Sequence, residues 1–171
     1  MTSDLHWVFA YGSNMHLPDL KRWLGAQGCS KTGIHQITPA ILEGFELVWN
    51  YWSPVRQGGA ANVQPASCQR SVFGALLQVD TPTLLALDTK EGHPERYSRD
   101  PEPLRCHPLD KSPPVDAWVY QVTAAYRSTT PVPPSLSYLT LLIEGAEELK
   151  LPGTYIDTLR TTPIAPTSPS C

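Results

Sequence analysis

The sequence reads as an α+β domain. Three stretches alternate apolar and other side chains at the period of a strand, and a fourth, near the N-terminus, is an almost unbroken apolar run. Between and after them lie three helical patterns with their own start and stop residues. All of this is held in 171 residues, which fits one domain with a real hydrophobic core and leaves little room for a second. The expected organisation is therefore a single unit over 1–171 with a loose, proline-rich tail from about residue 161.

Trp7 to Tyr11 is the apolar run and suits a strand covered on both faces. It stops on Gly12, which frees the backbone, and on Ser13 and Asn14, whose side chains favour turns and helix caps. Such a corner can aim several backbone N–H groups at one point and so hold a carboxylate or an oxyanion. It is also an ordinary way to leave a sheet. Pro18 then suits the first turn of a helix that carries Leu17, Leu20, Trp23 and Leu24, with Gly25 as its stop. Leu42 to Tyr51 alternates as a half-buried strand with Phe45, Leu47, Trp49 and Tyr51 on one side. The segment from Gly58 to Val63 has almost no side-chain bulk, which admits another backbone or a ligand, or marks a flexible loop running into an edge strand.

Val72 to Val79 alternates again, placing Phe73, Ala75, Leu77 and Val79 together. A helix follows, with Thr81 as N-cap, Pro82 at its first position, Leu84, Leu85 and Leu87 as its apolar side, and Gly92 and Pro94 as its end. Glu91 stands seven residues after Leu84 and four after Leu87, so on a regular helix it projects from the apolar face. There the negative helix end and lost hydration both penalise the charged carboxylate and make it a better proton acceptor. Fraying at Lys90 would instead release it to solvent. Val115 to Val122 is a further strand with Trp118, Tyr120 and Val122 on one face. From Ser135 a last helix carries Leu139, Leu142, Ile143, Ala146 and Leu149, with Tyr138 one turn before Leu142, and Pro152-Gly153 ends it. The prolines at 101–114, 131–134 and 163–169 read as rigid loops and the tail.

Composition removes several function classes. The formal charge is −3 and the 13 Lys and Arg are dispersed, so no nucleic-acid footprint is visible. No apolar run approaches the roughly 20 residues that span a bilayer, and the opening Met1 to Leu5 lacks a basic signal-peptide start, so no membrane partner and a cytoplasmic location are expected. Cys29, Cys68, Cys106 and Cys171 form no C-x-x-C pair, and the five histidines show no metal-ligand spacing, so no metal is expected. Ser13 lacks the G-x-S-x-G surroundings of a hydrolase nucleophile. His16 and His93, beside the two key segments, read as surface residues or supports behind a site.

Phe9-Ala10-Tyr11-Gly12-Ser13-Asn14, the Gly58 to Pro65 segment, Glu91-Gly92-x-Pro94-x-x-Tyr97, Pro134-Ser135-x-x-Tyr138, Gly145-Ala146 and Leu151-Pro152-x-x-Tyr155 occur in this order. Together they resemble the gamma-glutamylcyclotransferase family. The resemblance implies a small mixed β-barrel flanked by helices, in which the Y-G-S-N turn and the glutamate meet in one cavity. It implies a cofactor-free reaction that converts a small gamma-glutamyl amine or peptide into 5-oxoproline and a free amine. Glu91 falls on the family's catalytic glutamate, Tyr11, Gly12, Ser13 and Asn14 on its substrate-cradling turn, and Tyr97 and Tyr138 on tyrosines lining the pocket. The glutathione-specific branch is a weaker match, in the turn and glutamate only.

The implied chemistry agrees with the residues. The substrate's α-ammonium cannot attack its γ-carbonyl until a base removes a proton, and one carboxylate can take that proton and later give one to the departing nitrogen. Amides around Gly12 to Asn14 are the natural donors to the growing oxyanion. Ring closure is intramolecular, and holding the glutamyl moiety curled can supply about 7 to 11 kcal/mol without a nucleophile triad. The rival from another class is a cyclotransferase-like domain that binds a small ligand or a protein without catalysis; the retained Glu91 argues against it.

Overall fold

The computed structural model describes residues 4–29 and 33–167. Its first half runs β1 (Leu5–Ala10), α1 (Leu17–Ala26), β2 (Ile34–Glu43), β3 (Phe45–Val48), β4 (Trp52–Ser53), β5 (Gly58–Gly59), β6 (Asn62–Pro65) and β7 (Ser71–Asp80). The second half adds α2 (Thr81–Glu91), β8 (Tyr97–Ser98), β9 (Leu104–Pro108), β10 (Val115–Ala117), β11 (Gln121–Val122), α3 (Leu136–Glu148) and α4 (Gly153–Arg160).

Five strands form one antiparallel sheet in the order β1-β7-β2-β9-β10. The chain leaving β10 then returns to the first strand: Trp118 donates its amide to Trp7 at 2.8 Å, and Phe9 donates to the Trp118 carbonyl at 2.9 Å. This short seam is parallel, so the sheet curls into a small mixed barrel. Phe9, Val72, Leu76, Leu77 and Leu42 are almost wholly buried in it. Consecutive residues of β7 are buried because both its faces are covered, the outer one in part by α4, whose Tyr155 ring packs 5.2 Å from that of Phe73. No described helix is long and apolar enough to cross a membrane.

Several expected elements change in the folded chain. The predicted strand from Leu42 to Tyr51 is two strands, because Gly44 takes a left-handed turn (φ 75°) between β2 and β3. Most of β2 has no clear sequence pattern: a register shift between Ile34 and Gln36 breaks the alternation, and the strand is only partly covered. Gly25 does not stop α1, which continues to Ala26. The N-cap of α2 is Asp80 rather than Thr81, its carboxylate accepting from the Thr83 amide at 2.9 Å; Leu85 is exposed, whereas Leu84 and Leu87 are buried.

The expected strand from Val115 to Val122 breaks into β10, the seam and β11, and its most buried residues include Ala117 and Val119. The first proline-rich stretch contains β9, and Pro152-Gly153 opens α4 instead of ending the helical part of the chain. Beyond α4 the Ala165 amide donates to the Pro134 carbonyl at 2.7 Å; Pro169 and Cys171 lie outside the described residues.

Candidate active site

At the end of β1 the chain turns at Gly12 into a single 3-10 turn, Ser13–Met15. The amides that open this turn have no partner within it, because the first bonds run back from Met15 to Gly12 and from His16 to Ser13. α1 begins at once, with His16 as its N-cap: the His16 Nδ1 accepts from the Asp19 amide at 3.2 Å. His16 is thus a cap, bonded at its other nitrogen to Glu144, and not part of the recess.

The turn forms one wall of a narrow recess, about 40 Å³, lined by all of Tyr11, Gly12, Ser13, Asn14, Glu91, Tyr97 and Tyr138. These residues come from four separate parts of the sequence. The recess shares Ser13, Glu91, Tyr97 and Tyr138 with a wider open cavity of about 550 Å³.

Glu91 is the last residue of α2, and Gly92 closes the helix in the left-handed conformation (φ 69°). The helix does not fray there. The Asn14 side-chain amide donates to Glu91 Oε1 at 2.9 Å, and Lys90 donates to the oxygen of the same Asn14 side chain. Lys90 is half-buried, with its Nζ 5.9 Å from the centre of the Trp23 ring. Burial lowers its ammonium's pKa, an effect that the neighbouring Glu91 opposes.

A second support lies one turn earlier on α2. Asp88 takes two bonds from Arg99, at 2.7 and 2.9 Å, and one from the Tyr120 hydroxyl at 2.7 Å. Burial pushes the Asp88 carboxyl up, but the bonds from Arg99 and Tyr120 outweigh it and hold it below its ordinary value. The carbonyl of the same Tyr120 accepts from the Tyr11 hydroxyl. Tyr120 therefore ties the strand that leads into the turn to the helix that ends in Glu91. His93 packs against the Tyr120 ring, and its Nδ1 is buried without a partner among the described residues.

Two tyrosines clamp Ala61. Tyr97 donates its hydroxyl to the Ala61 carbonyl at 2.8 Å, and the Ala61 amide donates to the Tyr138 hydroxyl at 3.2 Å. The glycines before Ala61 make this possible. A Cβ at Gly59 would sit 1.8 Å from the Val132 carbonyl oxygen, and one at Gly58 would sit 2.6 Å from the Ser135 amide. The expected close approach at this segment is thus made by a backbone, the one that leads into α3 and delivers Tyr138. Ser135 caps α3 by accepting from the Tyr138 amide at 3.4 Å.

Burial pushes the Tyr138 hydroxyl up to about 12, with the Ala61 amide pulling it down and the Glu91 charge raising it. Tyr11 and Tyr97 are raised well above their ordinary values by burial first, and Glu91 contributes to both.

The outer cavity contains residues that the sequence patterns do not single out. Arg56 reaches in from the loop between β4 and β5, with its Nη2 3.2 Å from Ser13 Oγ and 3.3 Å from Asp19 Oδ2. Its guanidinium also stands 5.4 Å from the centre of the Tyr138 ring. Asp19, nearly buried, binds Arg22 as well, at 2.5 Å. The position of Arg56 two residues before the glycine pair is the one local signal of its placement.

The fold has solved counterparts. A structure titled gamma-glutamyl cyclotransferase superposes with TM-score 0.78 at 19% identity, covering 98% of this chain and 93% of its own. An uncharacterized protein from Homo sapiens gives 0.77 at 21%, covering 97% and 92%. A yeast gamma-glutamyl cyclotransferase described as specific to glutathione gives 0.63 at 13%, covering 92% and 94%. At these identities the likeness is one of fold. No curated protein matches the chain. Residues 8–139, from β1 through the Y-G-S-N turn and Glu91 to Tyr138, match the family described as "Gamma-glutamyl cyclotransferase, AIG2-like", and the chain belongs to that family.

Proposed function

We propose that this protein is a gamma-glutamylcyclotransferase that releases 5-oxoproline and a free amine from a small gamma-glutamyl compound, with Glu91 as the base and acid. The observation that carries the reading is the bond between Asn14 and Glu91, which brings the turn and the carboxylate to one recess. The fold, the family and the size of the adjoining cavity support it.

In this mechanism the glutamyl group curls where the recess opens into the outer cavity, between Ser13, Glu91, Tyr97 and Tyr138. Asn14 holds one carboxylate oxygen of Glu91, and the other takes a proton from the substrate α-ammonium. The freed amine attacks the γ-carbonyl carbon, forming the ring bond and placing negative charge on the carbonyl oxygen. Amides of the Gly12–Asn14 turn receive that charge. The Tyr138 hydroxyl accepts from Ala61 and so keeps its own proton to donate. Glu91 then hands its proton to the departing nitrogen, the C–N bond breaks and the carbonyl reforms. The second proton on the new ring nitrogen passes back to Glu91 and from there to the released amine, which leaves as an ammonium. Preorganisation supplies most of the acceleration, since the nucleophile and electrophile belong to one molecule. No metal or cofactor takes part, and the setting remains the cytoplasmic one expected from the sequence.

The test is a mass-spectrometric screen of gamma-glutamyl amines, dipeptides and isopeptides for 5-oxoproline release. Release that disappears in Glu91→Gln supports the reading. Binding of such compounds without release from any of them would favour a domain that only binds.

A further inference from the structure

The outer cavity has more positive charge than the reaction uses. Apart from Lys90 and Glu91, which offset one another, its walls carry Arg22, Arg56 and Arg96 against the single carboxylate of Asp19. This occurs in a chain whose net charge is −3. Arg22 and Arg56 share Asp19, at 2.5 and 3.3 Å. Arg96 curls over Gly92, directly beside Glu91, where a Cβ on that glycine would lie 2.2 Å from its Nε. Among the described residues its guanidinium makes no ion pair. A guanidinium cannot shed its proton to relieve crowding, so the surplus is permanent.

The glutamyl half of a substrate does not balance it. That half carries one carboxylate and one ammonium and is neutral overall. The unbalanced charge faces the wider space beyond the recess, which is where the departing half must lie. Its walls also include Trp23 and the exposed side chain of Val55, which suit a short aliphatic segment.

We propose that the departing half of the substrate carries a carboxylate, held at the cavity mouth by Arg56 and Arg96, so that the enzyme prefers gamma-glutamyl amino acids or peptides to neutral or cationic gamma-glutamyl amines. The inference rests on the cyclotransferase reading. A neutral amine leaves the arginines without a partner, and a polyamine adds a like charge to a site already in surplus. A cavity of one sign also draws an anionic substrate from solution, an effect that salt weakens.

The experiment compares three probes on the full chain by 5-oxoproline release: gamma-glutamylglycine, its C-terminal amide, and gamma-glutamylputrescine. The expected kcat/KM for the acid is about tenfold or more above that for the amide, with the diamine conjugate lower still and the differences shrinking as salt is raised. Arg96→Gln and Arg56→Gln should each lower the acid-to-amide ratio several-fold. The ratio is insensitive to the fraction of folded enzyme, so a poorly folding variant does not obscure the result. An acid-to-amide ratio near or below one in the unaltered protein, or a ratio unmoved in both variants, overturns the inference while leaving the cyclotransferase reading intact. No 5-oxoproline from any of the probes or from the wider screen overturns both.

Discussion

The side-chain amide of Asn14 donates to Glu91 Oε1 at 2.9 Å, across 77 residues of sequence. Glutamine at position 91 keeps an oxygen for Asn14 but cannot take a proton. Glu91→Gln is therefore expected to fold normally and bind substrate, while turnover falls by roughly 10²- to 10⁴-fold. Rates of 5-oxoproline release, together with calorimetric binding of a gamma-glutamyl probe, check this. Near-normal turnover would sink the mechanism.

Ser13 offers its hydroxyl oxygen to Arg56 at 3.2 Å and lines the recess. If the amide is the working donor, Ser13→Ala keeps it, and the loss in kcat stays within about tenfold. A loss as deep as that of Glu91→Gln would assign the essential donor to the hydroxyl.

Tyr120→Phe removes the donor to Asp88 and preserves the Tyr120 carbonyl that holds Tyr11. The lost bond goes to a charged acceptor, so unfolding should become easier by about 1.5–3 kcal/mol in denaturant titrations. Asp88 stands one turn before Glu91, so kcat should fall more than KM rises. A variant that loses stability with kcat intact would show that this network does not position the carboxylate.

Tyr11, Tyr97 and Tyr138 all resist ionisation in the folded protein, chiefly through burial. In the unfolded chain a tyrosine ionises near 10. For an acid raised on folding, the stabilisation is complete below the unfolded value and is lost as pH rises through the folded one. Stability should thus hold at neutral pH and decline from about pH 10 upward, with the tyrosinate absorbance of these three residues appearing together with unfolding. Tyrosinate that forms at about pH 10 at Tyr11, Tyr97 or Tyr138 in a protein still folded by circular dichroism, read against the matching Tyr→Phe variants, would contradict the burial of these side chains.

The α+β class and the ends of the candidate-site segments were legible because they rest on local chemistry, whereas the barrel and the grouping of Tyr97 and Tyr138 with the turn came from the family resemblance. Pro82 and Gly92 mark the ends of α2, Ser135 caps α3, and Gly12 to Asn14 break β1. The misreadings came where tertiary contacts decide. Gly44 splits an alternating stretch that reads as one strand, and the partly covered β2 lacks a regular pattern. Thr81 and Asp80 are both good caps, and only the fold shows which carboxylate or hydroxyl reaches the Thr83 amide. Arg56 was missed for a different reason: its place two residues before the glycine pair is the one local signal, and it does not indicate Ser13 or Asp19, its partners across the cavity.

The parallel seam at Trp118 also sets a time order. β1 is made first but receives its closing partner late, and the Tyr11–Tyr120 bond spans 109 residues. Closing so long a loop costs entropy before any contact offsets it, and such topologies fold slowly. A growing chain that already carries the turn and Glu91 still lacks the seam, Tyr120 and Tyr138, so the recess cannot exist as a half-built site. On this fold the recess is complete only when α3 has brought Tyr138 to the closed barrel.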